Sequence, residues 1–145
     1  MPTKNRYNTL FGFDFGMKRI GVAIGQTITQ TARPLTTLAA IQGLPSVKDV
    51  QTLINQWHPD AFVIGIPLNM DGTEQPVTEA ARRLQHWLSE QFKLPVHTID
   101  ERLSTRDARE QIYNAGGFRA LQKAKVDSFA AQIILQDWLT QDHST

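Results

Sequence analysis

The chain has 145 residues, of which 41% are hydrophobic and 20% charged, a composition typical of a globular protein and a length too short for two ordinary domains. We therefore expect one domain over residues 1–145, with an ordered core over about 9–139. The net charge of +1 excludes a uniformly basic surface, and the lack of cysteine excludes disulfides, thiolate zinc sites and cysteine nucleophiles. No signal peptide or membrane span is visible, which favours a cytoplasmic protein with no membrane association.

A β-hairpin is predicted at 10–25, where two apolar runs flank a short turn at 16–19. Side chains alternate along a strand, so Asp14 shares a face with Gly12. Because Gly12 has no side chain, a phosphate or another backbone can come close to the carboxylate. The alternative is that Asp14 only caps a turn, and the hairpin alone does not decide between the two.

After the hairpin, apolar periodicity and helix-capping residues predict seven more elements. They are a strand at 31–38, a helix from Ser46 to Trp57, a strand at Ala61–Ile66, a helix from about Thr73 to Phe92, a strand at Leu94–Ile99, a helix from Ser104 to about Gly116, and a helix at about Val126–Leu139. This order predicts an α/β fold with a mixed five-stranded sheet, order 3-2-1-4-5, and helices on both faces. It is the order of the ribonuclease H-like architecture, which does not by itself fix a function.

Several acids lie where predicted strands and helices meet. Asp127 shares a helical stripe with small residues such as Ala130 and Ala131, so it either faces the sheet or is a solvated acid stabilised by the helix dipole. Asp100 and Glu101 end the fifth predicted strand, where successive side chains point to opposite faces, so only one of them can join a site.

Together, Asp14, one of Asp100 and Glu101, and Asp127 would form an acidic cluster at one rim of the sheet. Neighbouring carboxylates repel each other, and a divalent cation such as Mg²⁺ or Mn²⁺ removes that repulsion. Such a site is suited to the hydrolysis of phosphodiesters.

Basic residues lie near each of these acids in the sequence, which is the placement expected if a polyanion is held against the site. Ordinary surface charge is the alternative, and it is preferred for Arg82 and Arg83. The candidate nucleic-acid contacts are Lys18, Arg19, Arg102, Arg106, Arg119, Lys123 and Lys125.

Several motifs follow one another over about residues 9–139, and together they are far more specific than any one of them. They are Phe13-Asp14-Phe15-Gly16, Arg19-Ile20-Gly21-Val22-Ala23, Gly65-Ile66-Pro67-Leu68-Asn69-Met70-Asp71-Gly72, Asp100-Glu101-Arg102-Leu103-Ser104-Thr105 and Lys125-Val126-Asp127-Ser128. In these motifs the chain resembles the YqgF/RuvX family, described as Holliday-junction-resolvase-like and as nucleases of precursor 16S ribosomal RNA.

The resemblance implies a ribonuclease H-like fold and a cytoplasmic bacterial protein that trims the 5′ end of precursor 16S rRNA in a divalent-metal-dependent reaction. By position, it implies Asp14, Glu101 and Asp127 as the catalytic acids and metal ligands. In the usual strand order, however, the fifth strand lies two strand spacings, roughly 10 Å, from the first. Glu101 is preferred to Asp100 because of its longer side chain, and Asp71 is the reserve candidate.

Met17 stands where the family pattern leads us to expect a small hydroxyl residue, which weakens a phosphate contact at that position and not the role of the acid.

The predicted function is thus endonucleolytic cleavage of structured RNA, free or within the ribosomal particle, by a monomer or a homodimer. Cleavage of branched DNA by a Holliday-junction resolvase is one alternative, and it would favour a dimer. A catalytically silent RNA-binding assembly factor is another. An actin-like ATPase ranks last, because 145 residues supply one of the two domains that such enzymes need.

Overall fold

The structure is a computed structural model that describes residues 7–100 and 123–141, with residues 123–127 described by their helical backbone alone. Within these residues the elements are β1 (Thr9–Asp14), β2 (Arg19–Gln26), β3 (Thr31–Ile41), β4 (Leu44–Pro45), α1 (Val47–Trp57), β5 (Ala61–Ile66), α2 (Pro76–Phe92), β6 (Val96–Asp100) and α3 (Lys123–Thr140). The helix predicted from Ser104 lies outside the described residues.

One mixed sheet, in the order β4-β3-β2-β1-β5-β6, forms the centre of the fold. β1 pairs antiparallel with β2, as the predicted hairpin requires, and parallel with β5, which in turn pairs parallel with β6. Apart from β4, this is the predicted order. The ribonuclease H-like fold is therefore confirmed, with six strands rather than five.

The additional strand β4 arises from a tight turn that the sequence pattern did not reveal. Gln42 and Gly43 have φ angles of 53° and 83°, and they connect Ile41 directly to its partner Leu44. Positive φ at both central residues is typical of a type I′ hairpin turn, for which Asn-Gly is the usual sequence. Because Gln-Gly is a weaker signal, the stretch was predicted only as a break after β3.

Ser46 caps α1 as predicted, since its hydroxyl oxygen accepts a hydrogen bond from Asp49 N at 3.0 Å. α2 begins three residues later than expected, at Pro76 rather than near Thr73. The backbone of Thr73 is already used in a turn, where its carbonyl accepts a hydrogen bond from Asn69 N at 2.9 Å. Proline lacks an amide hydrogen and fits the first helical position, so the helix starts there.

The two faces of the sheet carry different side chains, and helices cover both. The face under α1 and α2 is largely aromatic: the Phe62 ring stacks on Phe11 and meets Phe13 edge-on, with centroid distances of 6.1 and 5.3 Å. The face under α3 carries smaller buried residues, namely Leu10, Ala23, Ala32, Ala61 and Val63.

α3 lies unusually close to the sheet at Gly12. A Cβ atom on Gly12 would lie 2.7 Å from the Cβ of Leu135 and 3.0 Å from the carbonyl oxygen of Ala131. Both distances are shorter than van der Waals contact, so only glycine fits there. The sequence left two possibilities for what comes close to Gly12, a phosphate or another backbone. In the structure it is the backbone of α3.

We predict that Gly12→Ala destabilises the protein by about 1–3 kcal/mol, because the added methyl group forces α3 away from the sheet. Urea unfolding followed by circular dichroism measures this loss. Gly25→Ala is a second test of the same face, since its Cβ would meet the side-chain ends of Leu135 and Leu139 at 3.0 and 2.9 Å and the carbonyl oxygen of Thr31 at 3.0 Å. A Gly12→Ala protein as stable as the unchanged one would contradict the close contact.

Candidate functional site

Asp14 is the last residue of β1, and neighbouring strands place no side chain beside it. It is half-buried and pairs with Gly21 on β2. On its other side Phe13 pairs with Ile64, so continuing this parallel register puts Gly65 next to Asp14. Paired residues point to the same face of a sheet, so Asp14 stands between two glycines on its face. Among the described strands, the two positions that flank Asp14 in this row therefore carry no side chain.

The face to which Asp14 points is the one that α3 covers. Asp14 lies two residues after Gly12, which is under Ala131 and Leu135 of the helix. Farther from Asp14, Gly25 lies under Leu135 and Leu139. α3 therefore crosses the hairpin with its first turns directed toward Asp14 and its last turns directed away.

The start of α3 lies near the row of the sheet that contains Asp14, since Ser128 contacts Thr37 in that row. From Ala131 back to Asp127 is one helical turn, a rise of about 6 Å. From Gly12 forward to Asp14 is a similar distance along the strand, about 6.6 Å. The side chain of Asp127 lies outside the described residues, so its orientation stays a prediction.

The alternation along β6 separates Asp100 from Asp14. Ile99 packs against the apolar cluster under α3, so its side chain lies on the same face as Asp14. Asp100, the next residue, is exposed and points to the opposite face. Glu101 follows it and lies outside the described residues. Asp100 is therefore the poorer of the two candidates.

Asp71, the reserve candidate, is exposed in the loop after β5 and is engaged in a turn. Its Oδ1 atom accepts hydrogen bonds from the backbone N and the hydroxyl of Thr73, at 3.0 and 2.6 Å. This is an Asx-type turn, in which the carboxylate shapes the loop. The same loop is closed by Gly72 N, which donates to the carbonyl of Asn69 at 2.8 Å.

Of the predicted nucleic-acid contacts, two have described side chains, and both belong to the hairpin that contains Asp14. Lys18 and Arg19 are exposed in and just after the turn of the β1–β2 hairpin. Arg82 makes an ion pair with Glu74 at 3.0 Å, in line with the ordinary surface role expected for it. The remaining candidates, Arg102, Arg106, Arg119, Lys123 and Lys125, lie where the structure describes no side chains.

The donor set predicted for the cation consists of carboxylates, and carboxylate oxygens are the ligands that Mg²⁺ and Mn²⁺ prefer. Among the described side chains no three His, Asp or Glu groups lie close enough together to hold a metal ion. Asp14 is the only one of the three predicted acids whose side chain is described.

None of the helices in the described ranges is long and apolar enough to span a membrane.

Sequence reasoning missed a pair of hydroxyl residues in the same row of the sheet as Asp14. Thr37 pairs with Gly21, which pairs with Asp14, and the Thr37 hydroxyl lies 3.0 Å from that of Ser128 at the start of α3. The only signal was the position of Ser128 next to Asp127 in the last motif. The contact between Thr37 and that serine can be recognised only once the pairing of the strands and the position of α3 are known.

Comparison with known proteins identifies the family of the chain. The family described as "RuvX: Holliday junction resolvase" matches residues 8–141. A "Putative pre-16S rRNA nuclease" of Pectobacterium carotovorum subsp. carotovorum (strain PC1) is 50% identical over 135 residues, which cover 93% of this chain and 97% of that protein. A protein of the same description from Legionella pneumophila (strain Lens) is 51% identical over 130 residues, covering 90% and 94%.

Two solved structures share the fold at low sequence identity. Thermus thermophilus RuvC in complex with a Holliday junction substrate matches with a TM-score of 0.51 and 12% identity, covering 88% of this chain and 91% of that chain. The Fowlpox virus resolvase, in complex with Holliday junction DNA, matches with a TM-score of 0.54 and 12% identity, covering 92% and 99%. These neighbours support the fold alone, whereas the family match and the close relatives extend over nearly the whole chain, and the chain belongs to the RuvX family.

Proposed function

We propose that this protein is a metal-dependent endonuclease that processes the 5′ end of precursor 16S rRNA in ribosome biogenesis. The observation that carries the proposal is Asp14, a carboxylate at the end of a central strand, between two glycines and level with the start of α3. The names of the close relatives support the choice of substrate. A role on ribosomal RNA also favours a cytoplasmic location.

Three acids can converge on this place from three different elements. Asp14 comes from β1, and Asp127 comes from α3, whose backbone lies at the same level. If the alternation of β6 continues for one residue, Glu101 points to the same face as Ile99 and Asp14. Continuing the register puts Gly65 in the row of Asp14, so the strand between them adds no side chain next to Asp14.

Asp14, Glu101 and Asp127 are the residues that would hold Mg²⁺ or Mn²⁺. When bound, the cation supplies positive charge to the scissile phosphate and makes a water molecule a stronger nucleophile. The three acids would hold the cation on the face of the sheet that α3 covers. The half-buried position of Asp14 reduces screening by water and so strengthens its attraction for a cation.

Lys18 and Arg19 would hold the phosphate backbone of the substrate next to these acids. Both are exposed, and the hairpin turn places them within a few residues of Asp14 along the chain. Phosphate contacts of this kind fix the position of a nucleic acid without reading its sequence. The selectivity of the site would therefore come from the shape of the substrate rather than from its sequence.

Cleavage of branched DNA is the second candidate function, and it is favoured by the family description and by the resolvase fold. A four-way junction has two-fold symmetry and is cut by two active sites, so this function requires a homodimer. RNA trimming can be carried out by a monomer. A catalytically silent assembly factor would bind RNA and cut neither substrate.

We predict that Asp14→Asn lowers the cleavage rate by about 100-fold or more, as expected for the loss of a group that stabilises charge in the reaction. Glu101→Gln and Asp127→Asn should do the same. The matched control is Asp100→Asn, which removes a neighbouring acid on the opposite face and should change the rate by less than about threefold. The assay uses a precursor 16S rRNA fragment and a synthetic four-way junction side by side. Full activity of Asp14→Asn on both would contradict the nuclease assignment.

Removal of divalent cations should abolish cleavage, because the acids alone carry negative charge and would repel the phosphate. The protein is treated with chelator, dialysed, and assayed with Mg²⁺, Mn²⁺ or no addition. Recovery is expected with one or both cations. Unchanged cleavage in chelator would overturn the metal dependence, and binding of the RNA without cleavage under every condition would favour the assembly factor.

Replacing Lys18 and Arg19 by alanine should weaken RNA binding and leave the rate at saturating RNA nearly unchanged. Each lost phosphate contact should lower the slope of log K against log salt by about 1. Arg83→Ala, which removes an exposed charge on α2, is the control and should leave the slope as it is. If the double variant keeps the salt dependence of the unchanged protein, the hairpin does not bind the backbone.

A further inference from the structure

One side of α3 makes a row of polar contacts with β3. Ser128, Gln132 and Gln136 follow one another at four-residue spacing and therefore lie on the same side of the helix. Gln132 Nε2 donates to the carbonyl of Ala32 at 3.0 Å, and Gln136 Oε1 accepts from Ala32 N at 2.9 Å. Gln136 Nε2 also donates to the carbonyl of Gln30 at 2.7 Å. The second half of α3 is thus tied to the beginning of β3.

At the other end of this row, Ser128 binds two residues of β3 at once. Its Oγ donates to the carbonyl of Thr36 at 3.2 Å, and it lies 3.0 Å from Thr37 Oγ1, from which it can accept. Ser128 is half-buried, so these contacts are partly shielded from water. Two contacts to consecutive residues fix both the height and the rotation of the helix at this point.

These hydrogen bonds give the position of α3 on the sheet a direction, which apolar packing alone does not. The residues that α3 covers are mostly small, and burial of apolar surface has no preferred direction. The close contact at Gly12 sets how near the helix lies to the sheet, and the polar contacts add direction at the start of the helix. A shift of one residue would move the side chains at the start of the helix by about 1.5 Å along the axis and 100° around it.

Ser128 directly follows Asp127, and Thr37 lies in the row of the sheet that contains Asp14. The hydroxyl pair therefore connects the residue after one predicted metal ligand to the strand row of another. We propose that the Ser128–Thr37 pair positions Asp127 over Asp14, so that both acids can hold the same cation. This inference rests on the proposed nuclease site. Ser128 and Thr37 are positioning residues, which do not themselves contact the cation or the substrate.

The test measures Mn²⁺ binding to the full chain without RNA, by electron paramagnetic resonance, with Asp14→Asn defining the signal from this site. Ser128→Ala and Thr37→Val remove the same contact from its two sides, and Thr37→Val keeps the shape of the side chain. We expect each variant to raise the Kd for Mn²⁺ about tenfold. Because Ser128→Ala also removes the bond to the carbonyl of Thr36, the double variant should be no weaker than Ser128→Ala alone. Ser128→Thr keeps a hydroxyl and should restore binding.

Gln136→Ala is the matched control. It removes two hydrogen bonds to the same strand at the far end of the helix, so it lowers stability without reaching the acids. Its Kd for Mn²⁺ should stay within about twofold of that of the unchanged protein. An equal loss of Mn²⁺ binding in Gln136→Ala would show a general effect of stability and overturn the positioning role.

Values of Kd within about twofold of the unchanged protein in both Ser128→Ala and Thr37→Val would also overturn the proposal. If Ser128→Ala does not fold, Thr37→Val decides by the same criterion. Cleavage of RNA by the unchanged protein, together with normal Mn²⁺ binding in the variants, removes the positioning role and leaves the nuclease. Weakened Mn²⁺ binding in the variants of a protein that cuts no RNA supports the positioning role and removes the proposed function.

Discussion

The arrangement of the site depends on the close contact between α3 and β1 at Gly12. No other residue type lets the helix backbone come within 3.0 Å of the place where a side chain would begin. One turn along α3 and two residues along β1 both advance by about 6 Å. The first turn of α3 lies near the row of the sheet that contains Asp14, since Ser128 contacts Thr37 in that row. A helix held at the usual distance by larger side chains would have its first turn farther from that row.

The two faces of the sheet divide stability and function between them. The face under α1 and α2 buries large aromatic rings, whose burial supplies much of the hydrophobic stabilisation. The face under α3 has small residues and glycines, which give up buried area and leave room near Asp14. The aromatic face on the other side of the same strands supplies the buried apolar area that the face under α3 lacks. Phe13 and Asp14, adjacent in sequence, belong to these different faces.

The sequence was a good guide wherever one strand or one helix determined the outcome. Alternation along the first strand placed Asp14 on the face of Gly12, and apolar periodicity located the helix that ends at Phe92. Features that need two elements could not be predicted. The Ser128–Thr37 contact spans 91 residues, and no local pattern signals it. The late start of α2 likewise depends on a turn whose hydrogen bonds involve side chains as well as the backbone.

Strand order alone made Glu101 an awkward partner for Asp14, since a whole strand separates β6 from β1. The register changes this assessment. β5 contributes Gly65 to the row that contains Asp14 and Ile99, so the intervening strand has no side chain there. If the alternation of β6 continues for one residue, a glutamate after Asp100 points to the face of Asp14 and has a longer side chain than aspartate. An aspartate at that position would have to span the same gap with one methylene group fewer.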